Sequence, residues 1–381
     1  MRPVIFCLFS AVLIYTVTGK FCDESQCKRP SCVCDTQGSP EGLRVEDTPQ
    51  FVMLTFDDAV NVVNFPDYEE LLMNGRKNLR SNCPIQATFF VSHEYTDYSL
   101  VHELWRYNND ICVHSISHLP STEYWKNANQ TIWEEELGGM RKIISKFANI
   151  PESDIVGVRA PFLQTAGDVT FGVMKSLDFH YDSSMPTRQK ANPPLWPYTM
   201  DYGYQQDCQI TPCPTKNYKS FFIVPMVNYF RKLEIAPGHF LDIPCAMADA
   251  CLPLPETEDE TFQYLRENFE RHYSTNRAPF PLFLHQAWFS NPERKKGYFK
   301  FVDWLLQKDD VFIVTIREAL EFVRNPQPLD NYKQVCKSPK QSTCVSNQCT
   351  YSKTPLNGPR NMKCCGTCPA NYPWLWNVEG N

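Results

Sequence analysis

Past its first 17 residues the chain has no apolar run approaching the roughly 20 residues that a membrane-crossing helix needs. No bilayer span is therefore expected in the remainder. An excess of positive charge is also missing. Lys and Arg number 37 against 43 Asp and Glu, for a net charge of −6, which argues against nucleic acid or an anionic membrane as partner. No internal repeat is visible, so nothing suggests a stacked-repeat architecture. What remains is a chain of 381 residues, 43% hydrophobic and 13% aromatic. That is enough for one large domain with small appendages, or for two domains. Aromatic richness in an acidic protein suits a carbohydrate surface, and is also ordinary core composition.

The N-terminus reads as a secretory signal. Arg2 supplies the positive start, Val4 to Val17 is apolar, and Val17-Thr18-Gly19 offers small residues before a cut after Gly19. Removing residues 1–19 removes Cys7 and leaves 16 of the 17 cysteines. An even count in a secreted chain implies disulfides throughout, with connectivity that sequence does not give. The sequon Asn129-Gln130-Thr131 makes Asn129 a possible glycosylation site in that compartment.

Composition divides the rest. Cys22, Cys27, Cys32 and Cys34 crowd residues 20–48, a disulfide-pinned strap followed by a linker; zinc is the other reading of those cysteines. Residues 49–328 alternate strand-like and helical patterns, which favours a parallel sheet curled into an α/β barrel. Expected strands are Phe51–Phe56, Ala87–Ser92, Ile111–His114, Ile155–Arg159, Phe179–Asp182, Phe221–Pro225, Pro281–His285 and Val311–Val314. Expected helices include Tyr68–Lys77, Leu100–Tyr107, Thr261–Tyr273, Gly297–Gln307 and Ile316–Val323. The clearest is Ile132–Phe147, with Leu137, Met140, Ile143, Ile144 and Phe147 on one side. Met185 to Pro255 interrupts the alternation as a long Pro-, Tyr- and Cys-rich insertion, held in shape by local bridges. Residues 329–381 form a Cys-rich tail ending in Tyr372-Pro373-Trp374-Leu375-Trp376, read first as a knotted cap on the barrel.

Chemistry gathers at the ends of the strands. Val52 to Phe56 runs into Asp57-Asp58, and two adjacent carboxylates need a cation or an Arg close by. Taken alone, the pair also fits a strand entering an Asx turn. His114-Ser115-Ile116-Ser117-His118 follows another strand, and imidazoles at i and i+4 can face one metal. With Asp58 they make two nitrogen ligands and one oxygen ligand, leaving the open position of a catalytic metal site. Arg159, ending a third strand, can neutralise the paired carboxylates through Asp57. His285, ending a late strand, is a general acid if a buried carboxylate such as Asp182 orients it and raises its pKa. The other histidines, 93, 102, 180, 239 and 272, read as core or surface residues.

Five segments in this order, Thr55-Phe56-Asp57-Asp58, His114 to His118, Arg159-Ala160-Pro161-Phe162, Tyr181-Asp182-Ser183-Ser184 and Phe283-Leu284-His285, resemble the five motifs of the NodB-homology polysaccharide deacetylases, carbohydrate esterase family 4. Ala87-Thr88-Phe89-Phe90-Val91-Ser92-His93, Pro193-Pro194-Leu195-Trp196-Pro197-Tyr198 and His285-Gln286-Ala287-Trp288-Phe289 make the chain similar to the insect and arthropod chitin deacetylases. The resemblance covers about residues 50–323. It implies a distorted (β/α) barrel in which Asp58, His114 and His118 bind one divalent metal, usually zinc. Asp57 would be the base, held by Arg159. His285 would be the acid, tuned by Asp182, and the backbone N–H of Phe162 would help stabilise the oxyanion. Phe283 stands where many members carry Leu and bears on the acetyl pocket. Trp196, Tyr198 and Trp288 are the candidates for a sugar-facing surface, with core packing as the alternative for each. The tail is a poor match to the Cys-rich chitin-binding modules of many relatives. The expected protein is a secreted, extracellular, monomeric chitin deacetylase. The rivals are a deacetylase of another N-acetylated glycan or chito-oligomer, and a non-catalytic chitin-matrix binder.

Overall fold

Strand β1, Gln50–Asp57, is buried at every residue. The computed structural model describes residues 21–381; the proposed signal at residues 1–19, with Cys7, lies outside them. Around β1 are β2 Ala87–Val91, β3 Asp110–Val113, β4 Gly157–Val158, β5 Tyr181–Asp182, β6 Pro186–Thr187, β7 Tyr198–Met200 and β8 Tyr218–Ile223, followed by β9 Met226–Val227, β10 Tyr229–Ala236, β11 His239–Cys245, β12 Phe280–His285 and β13 Val311–Ile313. The main sheet runs β12-β1-β2-β3-β4-β5-β8-β7, with β13 also on β1. All its pairings are parallel except β7 on β8. The sheet curls into a half-barrel with helices packed on it, as the alternation of strand and helix patterns predicts.

The period of two in β1 sorts its side chains. Val52, Leu54 and Phe56 join the large core cluster that also holds the helix residues Leu71, Val101 and Ile143. Phe51 and Met53 join a second cluster with Phe90, Cys112, Tyr181 and Phe222. Thr55 and Asp57 continue the second row, so the same alternation that packs the sheet carries a carboxylate onto that face at the strand's end.

Helices follow the strands at Phe65–Leu72, Tyr98–Arg106, Asp168–Ser176, Glu258–Tyr273, Pro292–Leu305 and Ile316–Arg324. Asp168–Ser176 was not foreseen. The expected helix over 132–147 is broken. Gln130–Trp133 leads into a π-helical turn, Glu134–Gly139, before Met140–Ala148 resumes. Gly138-Gly139 is poor helix-forming sequence, and the looser turn lets Glu136 and Leu137 both be buried. A left-handed Asn149 ends the run.

The insertion holds more order than a loop: β7 and β8 extend the main sheet, and β10 and β11 form a hairpin. Cys208–Cys213 and Cys245–Cys251 are its local bridges. The strap is pinned by Cys22–Cys34 and Cys27–Cys32 and lies along β7, where Thr199 N donates to Val33 O at 2.9 Å. Cys83–Cys336 ties the tail to the barrel, and Cys344–Cys365 and Cys349–Cys368 brace the tail hairpin of β14 (Ser346–Tyr351) and β15 (Arg360–Cys365). Pairing is not complete, contrary to expectation. Cys112 is buried in β3 with its sulfur 3.0 Å from the Tyr181 hydroxyl. Cys364 is buried 3.5 Å from the already bonded sulfur of Cys349.

Candidate active site and metal centre

Three of the chain segments that leave the sheet at the end where β1 finishes, those after β1, β3 and β4, do so through backbone that L-residues rarely adopt. Asp58 has φ 81°, Ser115 φ 89°, His118 φ 41°, Phe162 φ 55° and Leu163 φ 57°. Strained non-glycine residues gathered at one place are typical of functional sites, and each costs about 1–3 kcal/mol. At Asp58 the turn separates the two acids: Asp57 stays in the sheet, while Asp58 swings out with its N–H on Phe90 O at 3.0 Å.

The turn brings Asp58 to the histidines. Its Oδ1 lies 3.3 Å from His118 Nε2 and 3.9 Å from His114 Nε2, and the two Nε2 atoms are 3.3 Å apart. His114 Nδ1 sits 2.7 Å from Arg159 O. A carbonyl can only accept, so Nδ1 carries the proton and the Nε2 lone pair faces the cluster. Burial, with the neighbouring His118, pushes His114 down to about 4, which keeps it in the neutral form a metal requires. Two ligand atoms on tetrahedral zinc, with bonds near 2.0–2.1 Å, stand about 3.3–3.4 Å apart. The donor set and its spacing fit a divalent ion.

Asp57 is buried and meets Arg159, whose Nη1 donates to Asp57 Oδ1 at 2.5 Å and to Thr55 Oγ1 at 3.1 Å. Nε donates to Ser183 O at 2.7 Å, and Nη2 to Ser183 Oγ at 2.9 Å. The guanidinium carbon lies 4.0 Å from the Phe90 ring centre and 4.6 Å from that of Phe283. Burial opposes the charge on Asp57, yet the positive charge of Arg159, with that of His285, holds the carboxyl below its usual range.

His285 is partly exposed, with Nε2 3.9 Å from Asp58 Oδ2. Its Nδ1 is 2.8 Å from Asp249 Oδ2, which also accepts the His285 backbone N–H at 2.8 Å. Burial works against a charged imidazole here. The Asp249 hydrogen bond and the charges of Asp57, Asp249 and Asp58 outweigh it and raise the group to about 9.

No family model matches the chain. Known sequences do. The chain is 43% identical over 369 residues to a protein named chitin deacetylase 8 of Bombyx mori, covering 94% of this chain and 93% of that one. The chain belongs to the chitin deacetylases. It is also 37% identical over 374 residues to chitin deacetylase 1 of Bombyx mori, covering 94% of this chain and 68% of the relative. A solved structure described as a polysaccharide deacetylase from Mycobacterium smegmatis shares the fold. Its TM-score is 0.52 at 17% identity, over 80% of this chain and 99% of that one.

In this chitin deacetylase several residues foreseen at the site sit elsewhere in the structure. Asp182 does not reach His285. Its Oδ1 accepts the Ser184 hydroxyl at 2.6 Å, and Ser184 Oγ accepts the Ala160 N–H at 2.7 Å, so Asp182 braces the Arg159-to-Phe162 loop. Burial raises it to about 6. Asp249, which does orient His285, was missed: it lies inside the insertion with no motif around it. The one signal was its position between Cys245 and Cys251. The foreseen sugar-facing aromatics are core residues. Trp196 and Tyr198 are shut in where the strap crosses β7, with Trp196 N on Thr36 O at 3.0 Å and its ring stacked on Phe322. Trp288 is only 3% exposed and belongs to the main core. Phe283 is fully buried as the second ring on Arg159. The aromatic that is open is Phe162, 45% exposed with its ring 5.1 Å from that of His118.

Proposed function

We propose that this chitin deacetylase is a secreted, metal-dependent hydrolase of the N-acetyl amide of GlcNAc units in chitin, releasing acetate and leaving glucosamine. The observation that carries this reading is the meeting of Asp58, His114 and His118 with a buried carboxylate, Asp57, and a partly exposed cationic acid, His285. A divalent ion held by Asp58, His114 and His118, zinc first among candidates, would acidify a water and polarise the acetamide carbonyl. Each protein group then has its own task. Asp57, kept ionised by Arg159, takes the proton of the attacking water. The Phe162 N–H, on its left-handed turn, faces the developing negative charge on the carbonyl oxygen. His285, charged near neutral pH and aimed by Asp249, gives its proton to the nitrogen, because an amine leaves poorly unless protonated.

Secretion rests on the reading of residues 1–19 as a cleavable leader; among the described residues no helix is long and apolar enough to cross a membrane. Asn129 is exposed and uses its Oδ1 to cap the helix at Gln130, accepting Ile132 N–H at 3.0 Å, which leaves its amide nitrogen for a glycan. We take the working unit to be a monomer, with residues 49–328 as the catalytic domain between strap and tail.

Purified protein should release acetate from soluble chitin oligomers, lose that activity to a chelator, and regain it with added zinc. Asp57→Ala should lose turnover with its metal still bound. Acetate release untouched by chelation refutes the metal role, and an inert protein that binds chitin refutes the enzyme.

A further inference from the structure

Among the buried carboxylates that the mechanism above leaves unused, one lies against the histidine segment. Glu136, in the π turn, is fully buried and has four donors on its two oxygens. Oε2 accepts the backbone N–H of Ile116 at 3.0 Å and of Ser117 at 2.9 Å. Oε1 accepts the Ser117 hydroxyl and, at 3.0 Å, the Tyr124 hydroxyl. Ile116 and Ser117 are the middle of His114-Ser115-Ile116-Ser117-His118. The carboxylate therefore gathers the backbone of the segment that joins the two imidazoles, on a stretch where Ser115 and His118 are both left-handed.

Its own support is equally specific. A Cβ on Gly139 would stand 2.9 Å from Ile116 Cδ1 and 2.8 Å from Val378 Cγ1, so any side chain there would have to displace the methyl groups through which this turn packs between the histidine loop and the tail. One residue before Glu136, Glu135 Oε2 accepts the Trp376 N–H at 2.9 Å. The π turn is thus gripped by the tail on one side and grips the histidine loop on the other.

We propose that Glu136 is a positioning residue of the metal centre, holding the turn between His114 and His118 in the shape that aims both Nε2 atoms at one ion. This rests on the metal reading above. A group that orients ligands without touching the ion sets affinity, since loss of such partners costs about 10–100-fold in metal binding. Full-length Glu136→Ala should bind zinc about 10–100-fold more weakly in competition with a chromophoric chelator. Its kcat should recover toward wild type when zinc is raised to saturation. Where Glu136→Ala does not fold, Tyr124→Phe removes one donor from the carboxylate and should weaken zinc binding by a smaller factor in the same direction. Folded Glu136→Ala with wild-type zinc affinity overturns the proposal, as does a variant whose melting temperature falls in the metal-free protein alone. Wild-type protein that takes up no zinc overturns the metal reading itself, a result distinguishable from either.

Discussion

Replacing Asp249 with Asn tests the assignment of acid and base most sharply, because it removes one charge from His285 and leaves the metal ligands untouched. Asn keeps an oxygen for Nδ1–H, so the ring stays aimed. His285 is raised from 6.5 to about 9, and the Asp249 hydrogen bond is the first of the raising causes. An acid must be protonated to act, so a raised pKa preserves activity through neutral pH and loses it as pH climbs through the folded value. Losing an adjacent opposite charge moves a pKa by about 1–3 units. Asp57 and Asp58 remain, so the shift belongs at the lower end, and a cation at Asp58 lowers both proteins alike. The kcat profile of Asp249→Asn, measured at saturating zinc on a chitin oligomer, should have its alkaline limb displaced downward by about one unit. Its acid limb, set by Asp57, should stay in place. Stability follows the same sign: the native state's hold on this proton contributes fully below 6.5 and is lost as pH rises toward 9. Coincident alkaline limbs, with kcat within twofold, would refute the role of Asp249 in holding the proton on His285.

Arg159→Met should do more than slow the reaction. It takes the guanidinium from between the Phe90 and Phe283 rings and leaves the Asp57 carboxylate buried without its partner; removing one partner of a buried pair costs about 3–5 kcal/mol, read as a lowered urea midpoint at pH 7 that partly recovers at pH 4. Phe162→Ala should raise KM while kcat stays within a few-fold, because the exposed ring goes and the backbone N–H remains; a selective fall in kcat would contradict this. Trp196→Ala should leave KM unchanged in whatever fraction folds and lower stability by about 3–5 kcal/mol, measured by thermal unfolding.

The meeting of Asp58, His114 and His118 as a candidate metal site was legible in the sequence because each part is local. A strand ending in two acids and a His-x3-His segment after another strand both advertise themselves, and parallel strands bring their ends to one edge. Asp249 was not legible, since its partner is 36 residues away and the insertion around it has no periodicity. Glu136 was hidden differently. Glu134-Glu135-Glu136 reads as a solvated helix face, and only the following Gly138-Gly139 hints that the helix is interrupted. The aromatics misled because Trp and Tyr carry as much apolar surface inward as outward. What decides the matter for Trp196 and Tyr198 is a strap whose path over β7 no local pattern predicts. Cysteine parity failed for a similar reason: Cys112 points into a tight interior and Cys364 sits beside a sulfur already committed to Cys368.

Why so much cystine-braced chain should surround one half-barrel follows from the site itself. The edge that carries the candidate site spends stability on left-handed Asp58, Ser115, His118, Phe162 and Leu163, at about 1–3 kcal/mol each, against the about 5–15 kcal/mol net stability of a whole domain. Those residues lie on loops, which the sheet holds only at their roots. The tail supplies a second hold. His93, leaving β2 at the same edge, has Nε2 2.8 Å from Pro373 O and its ring packed on Tyr372 and Trp374. Trp376 and Val378 reach the π turn behind the histidines, and Cys83–Cys336 fixes where the tail begins. Cutting that anchor with Cys83→Ala and Cys336→Ala together should therefore register at the metal centre, about 2–5 kcal/mol in stability accompanied by weaker zinc binding. Equal zinc affinity in the folded double variant would mean that the tail supports the barrel without supporting the site.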